Sequence, residues 1–284
     1  MNAILSKIRY YLLFSLLILT LAITPNAVST ETAELISTDN FIFDQALLTG
    51  QGITTDGEYF YTSGTITGIN TTALAKISIE PMEVLEYKLN PLPKACTDRG
   101  NNHIGGISYY DGKIYAPVEG GDEVYACIVV FDADTLEALE VYDLPNELFP
   151  SGVPWCAVDP DTGYLYASIW KSTKVIHVYD TKDSMKHIDT ITLKQPISHI
   201  QGAEFLNGTL YMSQDTRNKG SIRDILKVDV ATGEVSVAAE RDIASEKFEA
   251  EGMTFTQGED GPVLHVLDYD KFIGIAVHHY KVAF

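Results

Sequence analysis

Cysteine and positive charge are both scarce in this chain, and each shortage removes a class of protein. Cys96, Cys127 and Cys156 are the only three cysteines in 284 residues. That is too few for a disulfide-built scaffold, and no histidine stands near them at metal-site spacing. An odd number in an oxidising compartment leaves one thiol unpaired, so the expectation is one pair and one buried thiol. Lysine and arginine total 20 against 39 acids, a formal charge of −19. Such a surface repels phosphate backbones and anionic lipid heads, which excludes nucleic acid and the membrane surface as partners. Small polar or cationic ligands and divalent metals are favoured instead. Also missing are the Gly-x-Ser-x-Gly elbow, the phosphate loop and the dinucleotide fingerprint. "DADTLE" and "DPDTG" lack the acidic ladder of a calcium hand and read as hairpin turns.

Long apolar runs are absent too, except at the start. "MNAILSKIRYYLLFSLLILTLAITPNAVST" sets Lys7 and Arg9 before an apolar stretch and follows it with small residues. The stretch is about 14 residues long, short of the roughly 20 that a membrane span needs. Residues 1–29 are therefore expected to be a signal peptide cleaved after Ser29, with a short linker over 30–39 and a single domain over 40–284. The predicted protein is secreted or periplasmic, free of the membrane once the signal is removed, and monomeric. Asn70 and Asn207 open two glycosylation-type triplets.

What the chain has is repetition. "TGQGITTDGEYFYTSG", "HIGGISYYDGKIYAPVEG", "PWCAVDPDTGYLYASIWK", "ISHIQGAEFLNGTLYMSQD" and "EAEGMTFTQGEDGPVLHVLDYD" each give a small residue, a strand, a turn and a second strand. The small residues are Gly52, Gly106, Ala157, Gly202 and Gly252, spaced 54, 51, 45 and 50 apart. Periods of this size with all-β units signal a propeller. Third strands follow ("LAKISIE", "CIVVFDA", "VIHVYDT", "DILKVDV", "IAVHHYK"), and four units add a fourth. The fifth unit stops at Phe284 one strand short, while "NFIFDQALL" (40–48) is a spare strand ahead of the first unit. Pairing the two closes the ring and hides both edges. The fold class predicted is all-β: a five-bladed propeller of four-stranded blades closed by an N-terminal strand. A six-bladed ring and a pair of sandwiches are the alternatives.

In such a ring the loops leading into inner strands and leaving second strands share one face, where function concentrates. Residues just before the small positions include Gln51, His103, His199, Gln201, Glu249 and Glu251. Residues leaving second strands include Glu119, Trp170, Asp215 and Asp268. Imidazole with carboxylate can hold a divalent cation, calcium or zinc, which assigns His103, His199, Glu249 and Glu251 as candidate metal ligands. The same chemistry offers Glu251 and His199 as a catalytic acid–base pair. Gln51, Gln201, Glu119, Trp170 and Asp215 are candidate ligand-binding residues, with Trp170 as a stacking platform. Ordinary polar lining of a propeller axis explains the same residues without a ligand. A Cys96–Cys127 bridge would pin the loop "NPLPKACTDRGNN" and leave Cys156 over. His177, His278 and His279 fall on third strands, away from the axis. "DTRNKG" (215–220) is a polar loop at the same face.

"GQGITTDGEYFYTSG" with "LAKISI", and "AEFLNGTLYMS", resemble the plant-type glutaminyl-peptide cyclotransferases, secreted five-bladed propellers, and more loosely the lactonase and quinoprotein-like propellers. The resemblance spans roughly residues 45 to 284. It implies chemistry carried by acids at the start of the second and fourth blades. Here Ile104-Gly105-Gly106 offers no acid at the second, while Gln201-Gly202-Ala203-Glu204 keeps Glu204 at the fourth. Three functions are thus expected to compete: a binder of a divalent cation or small polar ligand in the funnel, an enzyme (metal-assisted hydrolase or lyase, or divergent cyclotransferase), and a non-catalytic interaction scaffold.

Overall fold

The computed structural model describes residues 31–41, 45–66, 71–120, 125–215, 223–241, 248–270 and 274–284. The stretch 1–29 expected to be a signal peptide, Asn70 and most of the 215–220 loop lie outside the described residues. The chain opens with β1 (Glu31–Phe41). Blade 1 follows as β2 (Gly52–Thr55), β3 (Tyr59–Ile66), β4 (Thr71–Ser78) and β5 (Val84–Leu89). In blade 2 the inner strand is split into β6 (Asn101–Ile104) and β7 (Ser108–Tyr110), ahead of β8 (Lys113–Gly120), β9 (Cys127–Asp132) and β10 (Ala138–Asp143). Blade 3 comprises β11 (Trp155–Val158), β12 (Tyr164–Ser168), β13 (Thr173–Asp180) and β14 (Lys186–Ile197). Blade 4 is β15 (Ile200–Leu206), β16 (Thr209–Gln214), β17 (Arg223–Asp229) and β18 (Glu234–Arg241). Blade 5 contributes β19 (Phe248–Gly258), β20 (Gly261–Asp270) and β21 (Gly274–Lys281).

The missing strand of blade 5 is β1, so the ring closes through the N-terminus as expected, but the closing residues differ. They are 31–41, most of the stretch expected as a linker over 30–39, and they share only Asn40 and Phe41 with the expected strand over 40–48. Glu34 to Phe41 run antiparallel to β21, pairing Phe41 with Ile275 and Glu34 with Lys281. Residues 46–49 form the short helix α1 (Ala46–Thr49). The Ala-Leu-Leu sequence favours helix, and a side chain at Gly64 would collide with the Leu47 carbonyl, so this turn lies directly on the β3 backbone. The first three residues of β1 also pair in parallel with β18, Ala33 opposite Arg241. Blades 4 and 5 thereby become one eight-stranded sheet.

Five apolar clusters fill the five gaps between blades. Phe131 and Ile104 anchor the gap between blades 1 and 2, Phe149 and Leu165 the next, and Trp155 with Phe205 the one between blades 3 and 4. Tyr280 with Phe255, then Phe60 with Val277, complete the circle. Each strand face is covered by its neighbour, which is why alternation along these strands is muted. At the axis the inner strands meet backbone to backbone. A Cβ on Gly202 would lie 2.6 Å from the Gly252 Cα, and one on Gly252 2.7 Å from the Gly52 Cα. Side chains do not fit there, so the repeated small residue is a requirement of convergence.

Candidate functional site

All inner-strand starts and second-strand ends gather at one end of the ring, where each blade is clasped to the next. Ser63 Oγ donates to the Gly105 carbonyl at 2.8 Å, joining blades 1 and 2. The Val153 N–H donates to Glu119 Oε2 at 2.6 Å, joining blades 2 and 3. His199 N–H donates to the Trp170 carbonyl at 2.8 Å, and Gly252 N–H to the Gln51 carbonyl at 2.7 Å. Ser213 Oγ donates to the Glu251 carbonyl between blades 4 and 5. Several residues singled out from the sequence therefore work through their backbone in closing the ring.

Three of them do more. His103 Nε2 lies 2.6 Å from Gln51 Oε1, and its Nδ1 lies 3.3 Å from Glu119 Oε1. The Gln51 amide is oriented by its own Nε2, which donates to the Gly50 carbonyl at 2.8 Å. Both imidazole nitrogens thus face oxygens of neighbouring side chains. The relay Gln51–His103–Glu119–Val153 ties three blades together, yet the His103 and Glu119 side chains remain 27% and 14% exposed. A cavity of about 200 Å³ also lies between blades 1 and 2, lined by Thr72, Asn90, Leu92, Thr97, Gly100, Asn101 and Asn102 and by none of the three relay residues. Asn101 donates from Nδ2 to the Tyr125 carbonyl at 2.9 Å, while its buried Oδ1 has no hydrogen-bond partner among the described residues.

The other predicted residues are distributed around the same mouth. His199 adopts a left-handed backbone (φ 55°) and sets its ring perpendicular to Trp170, centroids 4.3 Å apart. Gln201 is half-buried. Asp215 is fully buried, its N–H bound to the His199 carbonyl at 2.8 Å. Glu249 is half-buried and Glu251 is 4% exposed. Among the described residues, no three His, Cys, Asp or Glu side chains stand together as a metal site. Asp268 was expected at the rim and is instead wholly buried, held by Arg241 at 2.8 and 3.1 Å and by His278 Nδ1 at 2.8 Å. Burial alone would raise its carboxyl, but the Arg241 charge and the His278 contact hold it below the usual range.

Histidines on the second and third strands of blade 5 form a chain across that blade. His265 Nδ1 lies 2.6 Å from His279 Nδ1, and His279 Nε2 lies 2.9 Å from Asp39 Oδ2, so a polar chain ties β1 to blade 5. Burial, then the neighbouring His279, pushes His265 down to about 3. Cys96 and Cys127 do meet, as free thiols 3.8 Å apart, and Cys156 is buried alone. The hydrogen bond with Cys127 lowers Cys96 to about 7 against the opposing effect of burial.

A second polar level lies one step further along the axis. Glu204 Oε2 accepts from Thr54 Oγ1 of blade 1 at 3.2 Å and from Thr254 Oγ1 of blade 5 at 3.3 Å. Burial raises this carboxyl to about 7, although both hydroxyls and the Phe205 N–H oppose the shift. The residue keeps some exposed surface. A signal for it exists in the sequence: Thr54, Ser108, Asp159, Glu204 and Thr254 each stand two residues after the repeated small position, and all are polar.

No protein-family model matches the chain, and no curated protein does. Solved structures match at the level of fold. The fold is a five-bladed propeller. The major Malassezia sympodialis allergen Mala s 1 is similar with TM-score 0.52 and 10% identity, over 81% of this chain and 77% of that one. An exo-beta-1,3-galactanase from Clostridium thermocellum reaches TM-score 0.58 at 13% identity, over 90% of this chain and 62% of that one. The beta-xylosidase RS223 reaches 0.53 at 12% identity, over 82% and 91%. Identities this low carry the architecture and no activity. Among the described residues, no helix is long and apolar enough to cross a membrane.

Proposed function

We propose that the protein binds a small polar ligand at the mouth of the ring, between blades 1 and 2, and that it does so outside the cytoplasm. The observation that supports this reading is the partly exposed Gln51–His103–Glu119 relay, next in sequence to Asn101 and Asn102, which line a cavity of mixed polar and apolar character. The buried unpartnered Asn101 Oδ1 and the Glu119 carboxylate are acceptors, so the ligand is rich in hydrogen-bond donors. The charge of −19 favours a cationic one. Trp170 with His199, joined by the half-buried Gln201, offers a second lip suited to stacking. A divalent cation, calcium or zinc, is the alternative occupant, taking His103 and Glu119 with Glu249 or Glu251 after side-chain rearrangement.

The test is a thermal-shift screen with calcium, zinc, small primary amines, short saccharides and peptides bearing N-terminal glutamine. A compound that raises the melting temperature of the wild type and leaves His103→Ala unmoved supports the reading. Equal shifts in both proteins overturn it.

A second reading is enzymatic, and Glu204 favours it. A carboxyl near pKa 7 at a partly accessible axis can both give and take a proton at neutral pH. Together with the resemblance to glutaminyl-peptide cyclotransferases, this makes N-terminal glutamine peptides the first substrates to assay. Turnover lost in Glu204→Gln, with binding retained, would favour catalysis over simple binding.

A further inference from the structure

Each blade ends in an outer strand whose free edge can pair with another chain. β1 covers β18 only over Ala239–Arg241, and β1 itself, the outer strand of blade 5, is irregular between Leu35 and Ser37 where it exposes Leu35 and Ile36, so among the described residues β5, β10 and β14 are the outer strands with no partner along their free edge. β14 carries exposed lysines and Pro196, which discourage pairing, and β10 carries Glu140 and Asp143 with no cation. β5 differs. Leu85, Tyr87 and Leu89 share one face and are 55%, 57% and 50% exposed. Glu86 is exposed, while Lys88 on the opposite face forms an ion pair with Glu137 of blade 2.

The segment Leu85-Glu86-Tyr87-Lys88-Leu89 complements itself. Laid antiparallel on a second copy about Tyr87, it sets Leu85 opposite Leu89, Glu86 opposite Lys88, and Tyr87 opposite Tyr87. Opposite charges and aromatic pairs across strands are both stabilising. The backbone agrees. Asn90 N–H donates inward to the Thr72 carbonyl of β4 at 2.7 Å. With a period of two, the N–H and C=O of Leu89 and Tyr87 then point to the free edge, where a pairing centred on Tyr87 needs them. An irregularity between Glu86 and Val84 in the β4–β5 register ends the regular ladder near Leu85 and keeps the strip short.

We propose that β5 is a dimerisation strand, joining two copies of this chain edge to edge about a two-fold axis at Tyr87. The contact is isologous and closed, so it ends at two copies. The strip is small, and the dimer forms in the micromolar range or weaker.

Sedimentation velocity over micromolar to millimolar concentration tests this, using the wild type, E86K, K88E and an equimolar mixture of the two variants. The wild type is expected to show a monomer–dimer equilibrium. E86K and K88E are each expected to stay monomeric, because like charges then oppose one another across the axis, and their mixture is expected to dimerise again. Y87D, which leaves the Lys88–Glu137 pair intact, should also be monomeric, with circular dichroism as the check on folding in every variant. A wild type that stays monomeric throughout, single variants that dimerise like the wild type, or a mixture that stays monomeric would each overturn the proposal. So would a monomeric wild type whose β5 pairs only with a strand of unrelated sequence.

Discussion

Imidazole meets carboxylate at three places among the described residues, and burial separates what two of them, at Asp268 and at Glu119, can do. At the seam of blades 4 and 5, Asp268 is fully buried with Arg241 in a two-pronged pair and with His278 at 2.8 Å. At the mouth between blades 1 and 2, Glu119, His103 and Gln51 make a similar chain but stay open to solvent. Removing one member of a buried pair strands a charge in a medium that cannot solvate it, so the first set is architectural. A partly exposed pair is screened by water and contributes less to stability than a buried one, so the second can meet a ligand.

Mutation sharpens that contrast. Asp268→Ala leaves the Arg241 guanidinium buried without its counter-charge and should cost about 3–5 kcal/mol in denaturant unfolding. Gly252→Ala tests the axis: a Cβ 2.7 Å from the Gly52 Cα forces inner strands apart, and a loss of about 1–3 kcal/mol or more is expected in the same measurement. Glu119→Gln, at the open set, should change stability by less than about 1 kcal/mol while weakening ligand binding.

Acidity separates the regions further. Glu204 has its pKa raised from 4.5 to about 7, so the folded state holds a proton the unfolded chain has released, and stability falls as pH rises from 4.5 to 7. His265 has its pKa lowered from 6.5 to about 3, so the unfolded chain binds the extra proton and stability rises over 3 to 6.5. The two slopes oppose each other where they overlap. Glu204→Gln should remove the first, raising stability above pH 7 by about 1–3 kcal/mol and leaving it unchanged near pH 4. Melting curves across that range check the sign.

Much of this architecture was legible in the chain. The recurring small residue gave blade number and inner strands, because converging backbones admit no side chain at Gly52, Gly202 and Gly252. The closing strand was misplaced by a few residues. "NFIFDQALL" is more apolar than "ETAELISTDNF", yet β1 needs only Ala33 and Phe41 inside, being an outer strand with one face in water. Its parallel junction with β18 depends on partners some 200 residues away and leaves no local pattern. At the site, alignment of the repeats located Gln51, His103 and Glu119 at one mouth, but pairing between them depends on side-chain reach. Asp268 was misread because second-strand ends look alike in sequence, and Arg241, its buried partner, lies at the end of a different blade's fourth strand. Glu204 was readable as a repeat position and was singled out only through the family resemblance.

Calorimetric titration of the strongest compound from the thermal-shift screen into wild type, Glu119→Gln and Asp268→Asn tests the central claim most directly. The account predicts that Glu119→Gln weakens binding at least about tenfold, which is about 1.4 kcal/mol, at an unchanged melting temperature. Asp268→Asn should lower the melting temperature and leave affinity intact while the fold persists. Equal affinity in wild type and Glu119→Gln, or binding lost only in Asp268→Asn, would contradict it.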